Sequence, residues 1–304
     1  MPSTPDNAAI LLMAYGAPAS ENEVEAYLTG IRKGRKPTVE QVEDLKRRYR
    51  EIGGHSPLLE ITEAQATALE RQLHLKGLHL PVYYGMKHWH PYVAEVVPKI
   101  LLSEVRTIVG LVLAPHYSKM SIDGYKESLE RALTSKEVHV EFIRSWYDNA
   151  LFHKAVVEKV GEAFRKFPPD ADVSVLFTAH SLPERIVAEG DPYPSQLLDT
   201  CKSVAKLARI ERWSFAYQSA SSTQEKWLGP DILEALRDMP AKSNVLVSPI
   251  GFVADHLEIL YDLDVEAQAI ARSHRINLNR NESLNVSPAF VAALADIVSR
   301  RITS

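Results

Sequence analysis

Cysteine is nearly absent: Cys201 is the single one among 304 residues. One thiol excludes an internal disulfide and a cysteine-ligated metal cluster, and it suits a reducing compartment. Long apolar runs are missing too, since no stretch approaches the roughly 18 apolar residues of a membrane-spanning helix. The opening MPSTPDNAAILLMAYG has no basic region before its short apolar segment, so no signal peptide is expected and the cytoplasm is the expected location. Positive charge is not in excess, with 35 Lys and Arg against 39 Asp and Glu. The net charge of −4 argues against nucleic acid as a partner. Glycine patterns that cradle phosphates are absent, which disfavours nucleotides, and GxSxG, HExxH and CxxC are absent as well.

What is there is an ordinary globular composition, 45% apolar and 24% charged, in a chain about twice the common domain size of roughly 100–150 residues. Short β-rich runs alternate with longer helical patterns, as in α/β proteins with mostly parallel sheets. Strands are expected at 8–14, 80–85, 107–114, 138–144, 172–179, 212–218 and 244–250. Several are nearly continuous apolar runs, as strands covered on both faces should be. Helices are expected at 38–51, 61–76, 149–166 and 193–208, and a last one at 287–301 opens with Ser287 as N-cap and Pro288 behind it.

Leu113-Ala114-Pro115-His116 and Phe177-Thr178-Ala179-His180 close two strands alike. The reading is two similar α/β domains, 1–145 and 146–286, with 287–304 returning to pack on the first. Ligands of open α/β sheets lie beyond the carboxyl ends of the strands, so residues just past strands lead the candidates.

Four constellations stand out. His180 ends an apolar strand; a neutral imidazole there can bind a metal or take a proton, or simply hydrogen-bond to backbone. Glu258, Asp262 and Glu266 recur every four residues, which on an α-helix stacks them on one face. From Asp255 to Glu266 there are five acids and no Lys or Arg. Either this is a solvated acidic face or a path for hydrated divalent cations, whose preference for carboxylate oxygen is well matched. Residues 32–50 carry eight basic and three acidic side chains, a local charge of +5 against −9 for the remainder. Such a cationic corner fits a carboxylate-rich ligand or ordinary helix ends. Last, Tyr15, Tyr83, Tyr84, Trp89, Tyr117, Tyr125 and Trp227 cluster around strand ends, where they belong to the core or wall a flat apolar ligand.

The strings LLMAYGAP (11–18), IRKGRKP (31–37), YREIGGHSPL (49–58), VLAPHYS (112–118), TAHSLPERI (178–186), GDPYP (190–194), WLGPD (227–231) and GFVADHLEILYD (251–262) resemble the ferrochelatase family, most nearly its soluble coproporphyrin enzymes from Gram-positive bacteria. The resemblance implies two Rossmann-like domains and insertion of Fe2+ into a porphyrin held between them, for haem synthesis. It implies that His180 and Glu258 are the iron-binding and proton-handling pair. Tyr15 would face the other side of the macrocycle and ligate iron in the product. Arg32, Arg48, Tyr49, Ser56 and Tyr125 would contact the porphyrin and its propionates, and Asp262 and Glu266 would form an outer metal site, open to Mg2+.

Two departures from the family pattern are visible. The loop Gln218-Ser219-Ala220-Ser221-Ser222 lacks a usual glycine, and Trp89-His90 replaces an aliphatic and an acidic residue. The expected enzyme needs no prosthetic group or Fe–S cluster, takes porphyrin and Fe2+ as substrates, and is a monomer that meets neighbouring haem-pathway enzymes transiently. An environment holding His180 neutral would suit both of its roles. Four propionates would suit the +5 corner and favour coproporphyrin III. The alternatives are protoporphyrin IX as substrate, or a porphyrin or haem carrier without turnover.

Overall fold

A computed structural model describes residues 7–133, 137–221 and 223–303. Residues 1–6 and 304, at the ends of the expected segments, and Ser222 of the glycine-poor loop lie outside the described residues. The first sheet contains β1 (Ala8–Ala14), β2 (Val82–Met86), β3 (Thr107–Val112) and β4 (His139–Ile143), all parallel, in the order β2-β1-β3-β4. The second contains β5 (Val173–His180), β6 (Trp213–Gln218), β7 (Asn244–Ser248) and β8 (Asn277–Arg280), in the order β6-β5-β7-β8. The two orders are the same, so β1 and β5 occupy one topological slot. The two strand ends that look alike in sequence, after β3 and β5, are not counterparts. The counterpart of His180 at the end of β5 is the end of β1, where Tyr15 follows.

The central strands follow from their side chains. Ile10 and Leu12 of β1 face one side of the sheet and Ala9, Leu11 and Met13 the other. Both faces are covered, which is why AAILLMA has no polar position. The polar strand β8, NLNR, escaped the sequence reading because an edge strand needs no apolar run.

Helices of the first half are α1 (Val24–Ile31), α2 (Val39–Glu51), α3 (Leu58–Leu75), α4 (Val93–Leu101) and α5 (Lys119–Ala132). Those of the second are α6 (Ala150–Phe164), α7 (Arg185–Ala188), α8 (Tyr193–Ala208), α9 (Ile232–Arg237), α10 (Leu257–Tyr261), α11 (Gln268–Ser273) and α12 (Pro288–Thr303). Thr38 caps α2 with a reciprocal Gln41 bond, and Asn149 caps α6 through the N–H groups of Leu151 and Phe152. At α12 the expected cap differs. The Ser287 carbonyl accepts from Val291 N, but its hydroxyl is buried without a hydrogen-bond partner.

One continuous core joins the sheets. Ile10, Leu12 and Val109 of the first meet Val175, Phe177 and Leu246 of the second through Leu69, Phe152, Cys201, Phe290 and Leu294 of the intervening helices. Helices α4 and α5 cover the outer face of the first sheet, and α9 and α11 that of the second. Helix α12 packs on both α3 and α6. No helix among the described residues is long and apolar enough to cross a membrane. Helices α1 and α2 make a small lobe around Val24, Val42 and Tyr49, which Leu257 from the start of α10 also touches. That contact puts the cationic corner beside the acidic segment.

Candidate active site

His180 stands at the carboxyl end of β5, and two neighbours orient it. Its backbone carbonyl accepts a hydrogen bond from Tyr193 Oη at 2.9 Å. Its ring Nδ1 donates to the carbonyl of Ser181, which leaves Nε2 as the nitrogen that can exchange a proton or meet a metal. Nε2 lies 3.5 Å from Glu258 Oε1. Trp227 and Phe252 stand on either side of the imidazole, each with ring centres 6.4 Å away.

Glu258 reaches this point by a close approach of backbones. A Cβ at Gly251 would sit 2.6 Å from the Cβ of Ala179, so only glycine lets the chain after β7 pass beside His180. Gln218, fully buried at the end of β6, accepts from Thr178 Oγ1 at 2.9 Å and donates to the Glu258 carbonyl at 3.1 Å. One amide thereby ties β5, β6 and α10 together. A second imidazole, His256, donates from Nδ1 to the Ala254 carbonyl at 3.0 Å and brings Nε2 to 3.5 Å from Glu258 Oε2. His256 lies inside the quoted string GFVADHLEILYD, yet only the fold turns it toward the carboxylate.

The electrostatics follow from this pairing. Burial disfavours charge on His180, but the adjacent Glu258 carboxylate outweighs it and pushes the imidazole pKa up to about 9. Burial likewise opposes ionisation of Glu258, and His180 and then His256 hold it well below the usual carboxylate range. The expected neutral imidazole is therefore an imidazolium paired with a carboxylate at neutral pH. A divalent cation arriving at Nε2 must displace that proton.

The acidic ladder is sorted by the fold. Arg280 of β8 binds Asp264 at 2.7 Å and Asp255 at 3.4 Å, pairing two of the five acids with one positive charge. Glu258, Asp262 and Glu266 remain. They are not on a regular α-helix: Asp262–Ala267 forms a π-helical turn between α10 and α11. Burial, then the charges of Glu258 and Glu266, push the Asp262 pKa up to about 7. Ser219 Oγ hydrogen-bonds to Asp262. Ser219 adopts a φ of +62°, so serine takes the left-handed conformation that the missing glycine would favour, with its hydroxyl engaged. Among the described residues no three His, Cys, Asp or Glu side chains converge as a preformed metal cage.

The opposite wall comes from the first sheet. Tyr15 follows β1, is 45% exposed, and lies 4.4 Å from the ring of His88. Desolvation of its phenol and then the Glu258 charge push its pKa up to about 12. A Cβ at Gly16 would meet Trp89 N at 2.9 Å, and Gly16 has φ +95°, so the turn after Tyr15 requires glycine. Trp89 donates to Glu23 at 3.2 Å and sits edge-on to Tyr27, while His90 pairs with Glu95 at 2.8 Å. These contacts show what the departing Trp89-His90 pair does in this chain.

Tyr49, Ser56 and Tyr125 are buried. The pKa values of Tyr49 and Tyr125 rise through burial, with the Glu258 charge adding to the effect. Lys87 Nζ lies 4.7 Å over the Tyr125 ring. Arg48 binds Asp44 at 3.0 Å and lies 4.9 Å over the ring of Tyr261, next to Asp262. Arg32 follows α1, and its Nε is buried without a hydrogen-bond partner. Tyr83, by contrast, joins the outer core of the first sheet and bonds Ser103, away from His180. Two surface hollows of about 550 and 540 Å3 also lie elsewhere, beside Trp146 and Ile297 and beside Ala26 and Gly30.

Comparison with known proteins fits this geometry. A family model described as Ferrochelatase matches residues 7–302. The Ferrochelatase of Herpetosiphon aurantiacus is 45% identical over 298 residues, covering 96% of this chain and 98% of that protein. The Coproporphyrin III ferrochelatase of Geobacillus thermodenitrificans is 42% identical, covering 96% of this chain and 95% of that protein. Among solved structures, SirB from Bacillus subtilis with Fe3+ matches with a TM-score of 0.61 at 11% identity, covering 98% of this chain and 96% of SirB. CbiX, the terminal enzyme for siroheme biosynthesis in denitrifying bacteria, matches with a TM-score of 0.55 at 12% identity over 96% of this chain and 98% of CbiX. Those two likenesses establish a shared two-sheet fold.

Proposed function

The chain belongs to the ferrochelatase family and inserts iron into a porphyrin in haem synthesis, and from that premise we propose that its substrate is coproporphyrin III and that His180 and Glu258 perform the insertion. The observation that carries the site assignment is the His180–Glu258 pair, 3.5 Å apart at the end of β5.

The reaction exchanges two pyrrole protons for one ferrous ion as that ion sheds its water. Glu258, held ionised, offers an oxygen ligand and a proton acceptor. His180 gives up the Nε2 proton as the metal arrives, because its Nδ1–H is already committed to Ser181. Glu258 stands within reach of that proton. Tyr15, from the topologically equivalent strand, faces the other side of the ring and ligates iron in the product. Tyr49, Ser56, Tyr125 and Arg48 line the porphyrin site. The unpartnered Nε of Arg32 supports a propionate clamp there, since a buried donor without an acceptor is costly until an anion meets it. Asp262 and Glu266 receive hydrated Fe2+ before it reaches the pair, or hold Mg2+.

The coproporphyrin choice rests on the named relatives and on the cationic corner. On the same reading the chain divides near residue 145 and acts in the cytoplasm as a monomer, without a prosthetic group. It meets neighbouring enzymes of the pathway only transiently. The test is iron insertion into coproporphyrin III and protoporphyrin IX under one set of conditions. Coproporphyrin is expected to lead in kcat/KM by about tenfold or more, the worth of one additional charge-assisted contact. Equal or reversed rates overturn the substrate assignment and leave the family untouched.

A further inference from the structure

Beside the shared apolar core, the two halves meet along a polar seam. The loop after β3 faces α8 and the turn before it. His116 Nε2 lies 2.8 Å from Thr200 Oγ1, and Tyr117 N donates to Gln196 Oε1 at 2.7 Å. Ser118 Oγ and Lys119 N both donate to Asp191 Oδ2, each at 2.9 Å. Ser118 is the N-cap of α5 and Lys119 its first residue. The carboxylate thus meets a free N–H at the positive end of the helix that carries Tyr125. The other oxygen, Oδ1, accepts from Tyr193 N at 3.0 Å. Tyr193 Oη in turn donates to the His180 carbonyl at 2.9 Å.

We propose that Asp191 is a positioning residue whose single carboxylate ties the Tyr125-bearing wall of the cleft to His180. The Gln196 and Thr200 hydrogen bonds end at the seam, where His116 meets Tyr193 only by edge-on ring packing at 6.4 Å, whereas the Asp191 hydrogen bonds continue through Tyr193 to the backbone of the imidazole. Three donors from two halves of the molecule converge on one side chain, so a shift of α5 moves Tyr193 and, through it, His180. Reacting groups are sensitive to displacements of this size, since about 1 Å of misplacement can cost about a hundredfold in rate. The proposal rests on the reading that His180 acts on the metal.

The test is a double-mutant cycle on iron insertion with Asp191→Asn, Tyr193→Phe and the combined variant, corrected for folded fraction. Asparagine keeps one acceptor oxygen and replaces the other with a donor, and phenylalanine removes only the hydroxyl. Each single change is expected to lower kcat by about tenfold with KM for the porphyrin nearly constant. The combined variant should be no slower than the worse single one, because both break one chain. Thr200→Val, which breaks a seam bond that does not lead to His180, should lower the unfolding temperature and leave kcat per folded molecule unchanged. Additive losses, or kcat losses in Thr200→Val equal to those in Asp191→Asn, overturn the proposal. Failure of the underlying reading is seen separately, as His180→Ala retaining turnover.

Discussion

Two histidines, one following β3 and one ending β5, are given opposite states by their surroundings. His116, after β3, is buried beside Thr200, and its pKa is pushed down to about 3 by burial and then the His153 charge. His180, at the end of β5, is also disfavoured by burial, but Glu258 lies against it and the pKa rises to about 9. Similar flanking strings, LAPH and FTAH, therefore produce one neutral structural imidazole and one imidazolium poised for exchange. What separates them is a single carboxylate, delivered from 78 residues along the chain past Gly251.

The largest expected effect comes from removing one histidine or the other. His180→Ala should lower iron insertion by at least about a hundredfold, in the range of a lost general acid–base group, while porphyrin binding followed by fluorescence stays close to wild type. His116→Gln should leave turnover per folded molecule intact and cost about 1–3 kcal/mol in urea unfolding, through the Thr200 bond. Turnover that survives in the first variant and collapses in the second would invert the comparison.

Next comes Glu258→Gln, which should bring His180 toward the state of His116. With the anion gone, burial is opposed only by the Ser181 hydrogen bond and the Asp262 charge, and the imidazole pKa should fall well below its wild-type value, toward the usual value of about 6.5. The raised pKa of His180 means that the pair's stabilisation is fully present below about pH 6.5 and is lost as pH rises through about 9. Wild type should therefore lose unfolding free energy between about pH 7 and 9, and the variant should not. An imidazole in the variant still titrating near 9 by nuclear magnetic resonance would show that another group holds the proton.

Arg32→Ala should weaken coproporphyrin binding by about ten- to a hundredfold, the worth of a charge-assisted contact, without changing the state of His180. Superimposable titration curves for wild type and variant would exclude a clamp at this position. The smallest effect is expected at the outer acids. Asp262→Asn or Glu266→Gln leaves the His180–Glu258 pair in place and should change the iron concentration dependence or the response to Mg2+, with kcat at saturating iron retained. Unaltered iron curves in the double variant would reduce both acids to structural or surface roles.

Much of this was legible in the residues. Short β-rich runs identify seven of the eight strands, several of them nearly continuous apolar runs because both faces are covered; β8 is not legible because NLNR holds a single apolar residue. Strings around His180 and Glu258 marked the site, since a histidine and an acid following strands lie where α/β sheets bind ligands. The acidic repeat was legible as a pattern but not as a structure. Its spacing of four suggests an α-helical face, whereas the chain turns through a π-helical segment and Arg280 from β8 pairs with two of the acids.

By itself, then, the sequence determined the α/β class, seven of the strand positions and the cationic and acidic segments, because each depends on side-chain type and short-range periodicity; the roles of the candidate site residues came from the family resemblance. Tertiary structure alone decided that one core joins both sheets, that Tyr15 rather than His116 occupies the slot equivalent to His180, and that His256 and Gln218 support Glu258. It alone decided protonation as well. A pKa is the balance of desolvation against the nearest charge, and both depend on which distant segments the fold brings within a few ångströms.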